Sequence, residues 1–152
     1  MDKLRRVTLE AVAAAGVLAA TALSPLRAFA AGWNKDAFLS KTPAGALKNL
    51  GATATADSSA IVIDAPQIAE NGAVVPIEVT SNLPNTRSIA VLIEKNPFPL
   101  AAKFDFAEGA LPFVKVNVKM GESSNVRVVA EAGGKHYFAI KEVKVTVGGC
   151  GG

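Results

Sequence analysis

The residue in this chain best suited to chemistry is its single cysteine, Cys150, set between Gly148-Gly149 and Gly151-Gly152. A thiol is both a nucleophile and an attachment point, and it reacts as the thiolate. Glycine packs no side chain and loses more conformational entropy on ordering than any other residue. A terminal segment of this composition predicts a mobile, solvated tail. Burial of Cys150 as a small core hydrophobe is therefore not expected. The glycine pairs keep the backbone around the sulfur narrow. From a strand ending at Val147, residues 148–150 reach roughly 10 Å when extended. A thiol on such an arm can enter a narrow channel in another protein, where side chains on its neighbours would clash. That is the design of a carrier, which holds its substrate on the sulfur and takes it between enzymes.

The sequence places no activating group beside this thiol. No histidine, lysine or helix N-terminus is fixed next to Cys150, and the nearby C-terminal carboxylate disfavours a thiolate. No catalytic residue is assigned for that reason, and a thiol peroxidase or transferase acting alone has little support. Three readings of Cys150 stay open from the residues alone: a carrier, an intermolecular disulfide joining two copies, and a lone metal ligand. A C-terminal prenylation box needs the cysteine fourth from the end, and Cys150 is third. One cysteine rules out an internal disulfide, a cysteine-rich zinc site and a cysteine-ligated iron–sulfur cluster. The one histidine, His136, lies just after Gly133-Gly134 and reads as a strand-end surface residue, so no metal site is expected. Asp105 and Glu108 can be drawn as a carboxylate pair, but charges at strand ends are usually solvated. The stiff apolar loop Asn96-Pro97-Phe98-Pro99 either faces a partner or simply turns two strands.

The elements that would hold the arm are mostly strands. Val114, Val116, Val118 and Met120 alternate with Lys115, Asn117 and Lys119, and Val126, Val128 and Ala130 follow the same period of two. Val75, Ile77 and Val79 alternate with Pro76, Glu78 and Thr80, and Pro76 marks an edge or a bulge because it cannot donate to a ladder. Ile61 to Ile63 is a short strand, and Phe104 and Phe106 alternate with charged neighbours. Ile89 to Ile93 is a continuous apolar run that fits a buried central strand. Gly133-Gly134 predicts a tight hairpin with positive φ, leading to a last strand over residues 135–147. In that strand Phe138 and Ile140 sit on even positions and Val143, Val145 and Val147 on odd ones. Either a β-bulge near Lys141-Glu142 brings both sets to one face, or the strand is buried on one side first and on both later.

About seven antiparallel strands with turn signals between them imply an immunoglobulin-like β-sandwich, though not an antibody-type domain, since the strands lack the cysteine pair and tryptophan. Residues 34–50 are the one helical candidate, capped by Asn34 and split at Thr42-Pro43. Residues 51–59 read as linker. The expected organisation is an export signal over 1–30, a helical segment and linker over 31–59, a sandwich over 60–147, and a flexible arm over 148–152.

The signal rests on the N-terminus. Arg5 and Arg6 precede 13 uncharged positions from Ala11 to Leu23. That is short of the roughly 20 residues a membrane span needs but fits a secretory signal core. Ala28-Phe29-Ala30 matches a signal-peptidase site, with cleavage after Ala30. The paired arginines point to the twin-arginine route, which carries folded cargo; an ordinary Sec signal is the alternative. The whole chain holds 16 basic and 13 acidic side chains; removal of Lys3, Arg5, Arg6, Arg27, Asp2 and Glu10 leaves 12 and 11. The mature chain then carries no basic patch with interleaved aromatics, so neither nucleic acid nor a membrane is an expected partner.

Several runs resemble the SoxY family of sulfur carriers. They are Glu142-Val143-Lys144-Val145-Thr146-Val147-Gly148-Gly149-Cys150-Gly151-Gly152, Pro66-Gln67-Ile68-Ala69-Glu70-Asn71-Gly72 followed by Val75-Pro76-Ile77, and Glu94-Lys95-Asn96-Pro97-Phe98-Pro99-Leu100. The resemblance implies a periplasmic carrier subunit that is not itself an enzyme and has no cofactor beyond sulfur intermediates held covalently on Cys150. It implies a heterodimer with a SoxZ-like sandwich protein that lacks its own signal. It also implies transient partners: a SoxXA-type cytochrome that joins thiosulfate to the thiol, a SoxB-type hydrolase that releases sulfate, and a sulfur dehydrogenase. The competing expectation is a secreted structural or interaction sandwich that dimerises through a Cys150 disulfide.

Overall fold

The computed structural model describes residues 33–146. Two short helices come first, α1 (Lys35–Phe38) and α2 (Pro43–Asn49). Asn34 accepts the Ala37 N–H and caps α1; Thr42 accepts the Gly45 N–H and caps α2, with Pro43 in its first turn. The helical region thus divides at Thr42-Pro43 as its chemistry predicts.

Nine strands follow among the described residues: β1 (Thr55–Asp57), β2 (Ile61–Asp64), β3 (Ile68–Ala69), β4 (Val75–Ser81), β5 (Thr86–Ile93), β6 (Leu100–Asp105), β7 (Phe113–Val118), β8 (Ser124–Ala132) and β9 (Lys135–Val145). One sheet has the order β1-β9-β8-β5-β6, with β3 also paired to β9; the other has the order β2-β4-β7. Two facing sheets with short connections make the chain a mainly β, immunoglobulin-like sandwich. The two strands beyond the expected seven are β1, within the segment read as linker, and β3, within residues 66–72. Both pair parallel to β9. No helix among the described residues is long and apolar enough to cross a membrane.

The core between the sheets takes the inward sides of both, including Val75, Ile77, Val79, Ile89, Val91, Ile93, Val126, Val128 and Val143. A second cluster lies on the opposite face of the larger sheet. There Ala90, Leu92, Leu100 and Val129 pack with Ala37, Ala46 and Ala52, and with Phe38, Leu47, Leu50 and Phe138. β5 is therefore buried on both faces from Ser88 to Ile93, which is why its sequence is continuously apolar rather than alternating. β4 is the middle strand of its sheet, yet Pro76 is tolerated: β2 reaches only Glu78, so Pro76 has a neighbour on the β7 side alone.

The turn between β8 and β9 is the predicted one, with Gly133 at φ 57° and Gly134 at φ 74°. The bulge, one of the two alternatives for β9, is absent. Pairing with β8 runs unbroken from Ala132↔Lys135 to Ser124↔Val143. Nor is the order of burial the expected one. Tyr137 and Ala139 face the sandwich core while Phe138 faces the helices, so β9 is covered on both faces first. Further on, Val143 is fully buried on the core side while Ile140 is 42% exposed on the other. The helices cover only the hairpin half of this face, and that accounts for the mixed parity of apolar residues.

Candidate functional site

Cys150, its glycines Gly148, Gly149, Gly151 and Gly152, the arginines Arg5 and Arg6, and Ala30 all lie outside the described residues. What the structure does describe is the platform from which the cysteine segment departs, the end of β9.

That end is held on both edges. On one edge β3 runs parallel to it, with Ile68 opposite Lys144 and Ala69 opposite Val145. The Lys144 N–H donates to the Gln67 carbonyl at 3.0 Å, and the Thr146 N–H to the Ala69 carbonyl at 3.1 Å. The Thr146 hydroxyl donates to the Glu70 carbonyl at 3.5 Å. On the other edge β8 stops early. Its last pair is Ser124↔Val143, and the same register would put Glu122 opposite Val145. The chain has turned away by then, and the Ser123 hydroxyl takes over. It accepts the Val145 N–H at 2.9 Å and lies 3.4 Å from the Val145 carbonyl, to which it donates. One side chain thus serves both main-chain groups that a neighbouring strand would have served.

The turn carrying Ser123 is itself tied down. Asn96 Nδ2 donates to the Lys119 carbonyl at 2.7 Å, and Asn96 Oδ1 accepts the Gly121 N–H at 3.4 Å. The Lys95 N–H donates to Ser124 Oγ at 3.1 Å. Buried Gly72 closes the arrangement from the β3 side, accepting the Met120 N–H at 2.7 Å. A Cβ on residue 72 would collide with the Met120 carbonyl oxygen and sit 2.9 Å from Val145 Cγ1, so no larger residue fits without movement. The loop at Asn96-Pro97-Phe98-Pro99 therefore does more than turn two strands, since Asn96 braces the turn under Ser123, while Phe98 is 48% exposed. The segments 66–72 and 94–100, far apart in sequence, meet at the end of β9. Charges around that end are exposed and mixed in sign, as in the Lys95–Glu122 pair at 3.5 Å.

The other candidates lie elsewhere. His136 is near the start of β9, ten residues before Thr146. At a strand rise near 3.3 Å per residue that is about 33 Å away along the sheet. Asp105 pairs with Lys103. Asp105 and Glu108 line an open cleft of about 780 Å³ with Arg87 and Glu131, at the end of the sandwich away from the end of β9. Among the described residues no three His, Cys, Asp or Glu side chains are grouped to hold a metal. Sequence reasoning missed Ser123 and Gly72. A serine after Gly121-Glu122 carries no recognisable pattern, and Gly72 stood only at the end of a run resembling the family, with no contact assigned to it.

The fold and this platform define a class: a small immunoglobulin-like sandwich that secures its last strand on both edges up to residue 146, just short of a glycine-flanked cysteine. The family model of sulfur oxidation protein SoxY matches residues 47–150, a stretch that ends on Cys150. The solved structure of the sulfur carrier protein SoxY from Chlorobium limicola f thiosulfatophilum is similar at 39% identity and a TM-score of 0.58, covering 64% of this chain and 91% of that one. The chain belongs to the SoxY family. Superoxide reductase (neelaredoxin) from Ignicoccus hospitalis is similar in fold alone, at 22% identity and a TM-score of 0.50 over 57% of this chain and 80% of that one. No curated protein sequence matches the chain.

Proposed function

We propose that this chain is a periplasmic carrier of sulfur intermediates in thiosulfate oxidation, with Cys150 as the attachment atom and residues 148–152 as a flexible arm. The observation that carries this reading is the family match, which runs through the sandwich and reaches Cys150 itself. The relative at 39% identity is a sulfur carrier by its description. The platform at the end of β9 supports the same reading, because it secures the strand up to Thr146, four residues before the thiol.

The chemistry balances with the thiol as a handle only. The Cys150 thiolate and the outer sulfur of thiosulfate form an S–S bond, and two electrons leave to a SoxXA-type cytochrome. Water then attacks the terminal sulfone at a SoxB-type hydrolase, the S–S bond to that group breaks, and sulfate and two protons are released. The remaining cysteine persulfide is oxidised to a sulfonate at a sulfur dehydrogenase, which takes the electrons while water supplies the oxygen. A second hydrolysis frees sulfate and restores the thiol. Each active group belongs to a partner, so this chain is read as a non-enzymatic subunit whose stable companion is a SoxZ-like sandwich. Residues 1–30 are its export signal, cleaved after Ala30.

Intact-mass measurement of the protein purified from cells oxidising thiosulfate tests the proposal. Adducts of sulfur, thiosulfate or sulfonate mass are expected on Cys150, and their loss in Cys150→Ser. A doubled mass abolished by reductant, without sulfur adducts, would replace the carrier with a disulfide-linked dimer.

A further inference from the structure

We infer that Ser123 is a positioning residue of the proposed arm: its hydroxyl stands in for the missing strand beside Val145 and, together with the β3 bonds on the other edge, fixes the strand end from which the cysteine segment departs. This inference rests on the carrier reading and adds to it where the arm begins.

β8 and β9 hold one register to Ser124↔Val143 and no further. Without another partner the Val145 N–H and carbonyl would face open solvent, and strand ends with unpaired groups fray readily. The Ser123 hydroxyl engages both, at 2.9 and 3.4 Å. Lys144 and Thr146 point their N–H groups the other way, onto the carbonyls of Gln67 and Ala69. Every main-chain N–H from Lys144 to Thr146 is thereby bonded, on alternating edges. From that anchor, the four residues 147–150 can span at most roughly 13–14 Å. Were the Ser123 clamp and the β3 bonds at Lys144 and Thr146 all to open, back to the last β8 pair, residues 144–150 would span at most roughly 23–25 Å. A short arm from a fixed origin concentrates the sulfur near one end of the sandwich, and effective concentration falls steeply with tether length. The surroundings support Ser123 in this role, since Asn96 and the Lys95 N–H hold the turn and Gly72 leaves room for Val145.

Ser123→Ala removes the hydroxyl and nothing else, and Ser123→Thr restores it. Both are made in the full chain with its companion subunit. Amide hydrogen exchange at Val145 should speed up about tenfold in Ser123→Ala, as expected for one lost hydrogen bond at a strand end, with Val128 and Val143 unchanged. With thiosulfate-charged carrier as the substrate of the partner hydrolase, KM for the carrier should rise at constant kcat, by up to about two- to threefold, the limit set by a fully opened strand end. Alkylation of Cys150 by iodoacetamide should not change, and Ser123→Thr should return both values to the parent's. Unchanged exchange at Val145 overturns the clamp. Faster exchange with unchanged KM overturns its role in positioning. Faster exchange in Ser123→Ala, with no sulfur on Cys150 in the parent protein, upholds the clamp and sinks the carrier reading alone.

Discussion

On the proposed carrier reading, Gly149 matters for what it lacks, a Cβ next to a thiol that partner enzymes would enclose. Gly149→Leu adds bulk beside the sulfur, three residues beyond Thr146, the last described residue bonded to the sandwich. The variant should keep the parent's melting temperature and lose most of its turnover with the hydrolase; turnover at the parent rate would contradict the narrow-channel argument. Cys150 and its glycines stand out by composition alone, four residues without side chains around the only thiol, and they lie outside the described residues. Ser123 was not legible, because its contact depends on β8 ending two residue pairs short of Val145. Gly72 shows the same limit: its buried contact with Met120 and Val145 joins two loops that no local pattern links.

β9 is the element on which local reading failed most instructively. The parity change between Phe138 and Val143 resembles a slip in register, but the register is unbroken. What changes is the cover on the outer face, where helices pack on Phe138 and leave Ile140 42% exposed. Arg127 also stacks on the Phe138 ring, 5.1 Å from its centroid, while its guanidinium bonds Glu94 at 2.7 Å. Two apolar residues on one face of one strand should therefore differ sharply. Phe138→Ala should cost about 2–4 kcal/mol, since a packed aromatic is lost against the helices. Ile140→Ala should fall within about 0.5 kcal/mol. Urea midpoints with unchanged slopes are the measure, and equal losses at the two sites would refute the one-sided cover. The hairpin at Gly133-Gly134, the split at Thr42-Pro43 and the core strand β5 were readable because each is written in neighbouring residues. β1 and β3 were not, because two- and three-residue parallel strands have no period to detect; they exist only because β9 offers them an edge.

For the whole molecule, the proposed signal and the proposed carrier role make a joint demand. Residues 1–30 read as a twin-arginine signal, yet the described residues show no clustered metal ligands to call for folded export. A folded passenger offers another reason. If a SoxZ-like companion without a signal binds this sandwich before export, the pair must cross the membrane together and already folded, a route a threading translocon does not provide. Replacing Arg5 and Arg6 with lysine keeps the charge of the signal but removes the guanidinium pair, whose planar fork lysine does not reproduce. Both proteins should then accumulate in the cytoplasm, this chain with its first 30 residues still attached. Fractionation with an antibody to each subunit reads the outcome. Periplasmic recovery of both proteins at parental levels would remove the twin-arginine route. If the companion alone reached the periplasm from the lysine variant, co-export would fail, because the companion would then have a route of its own.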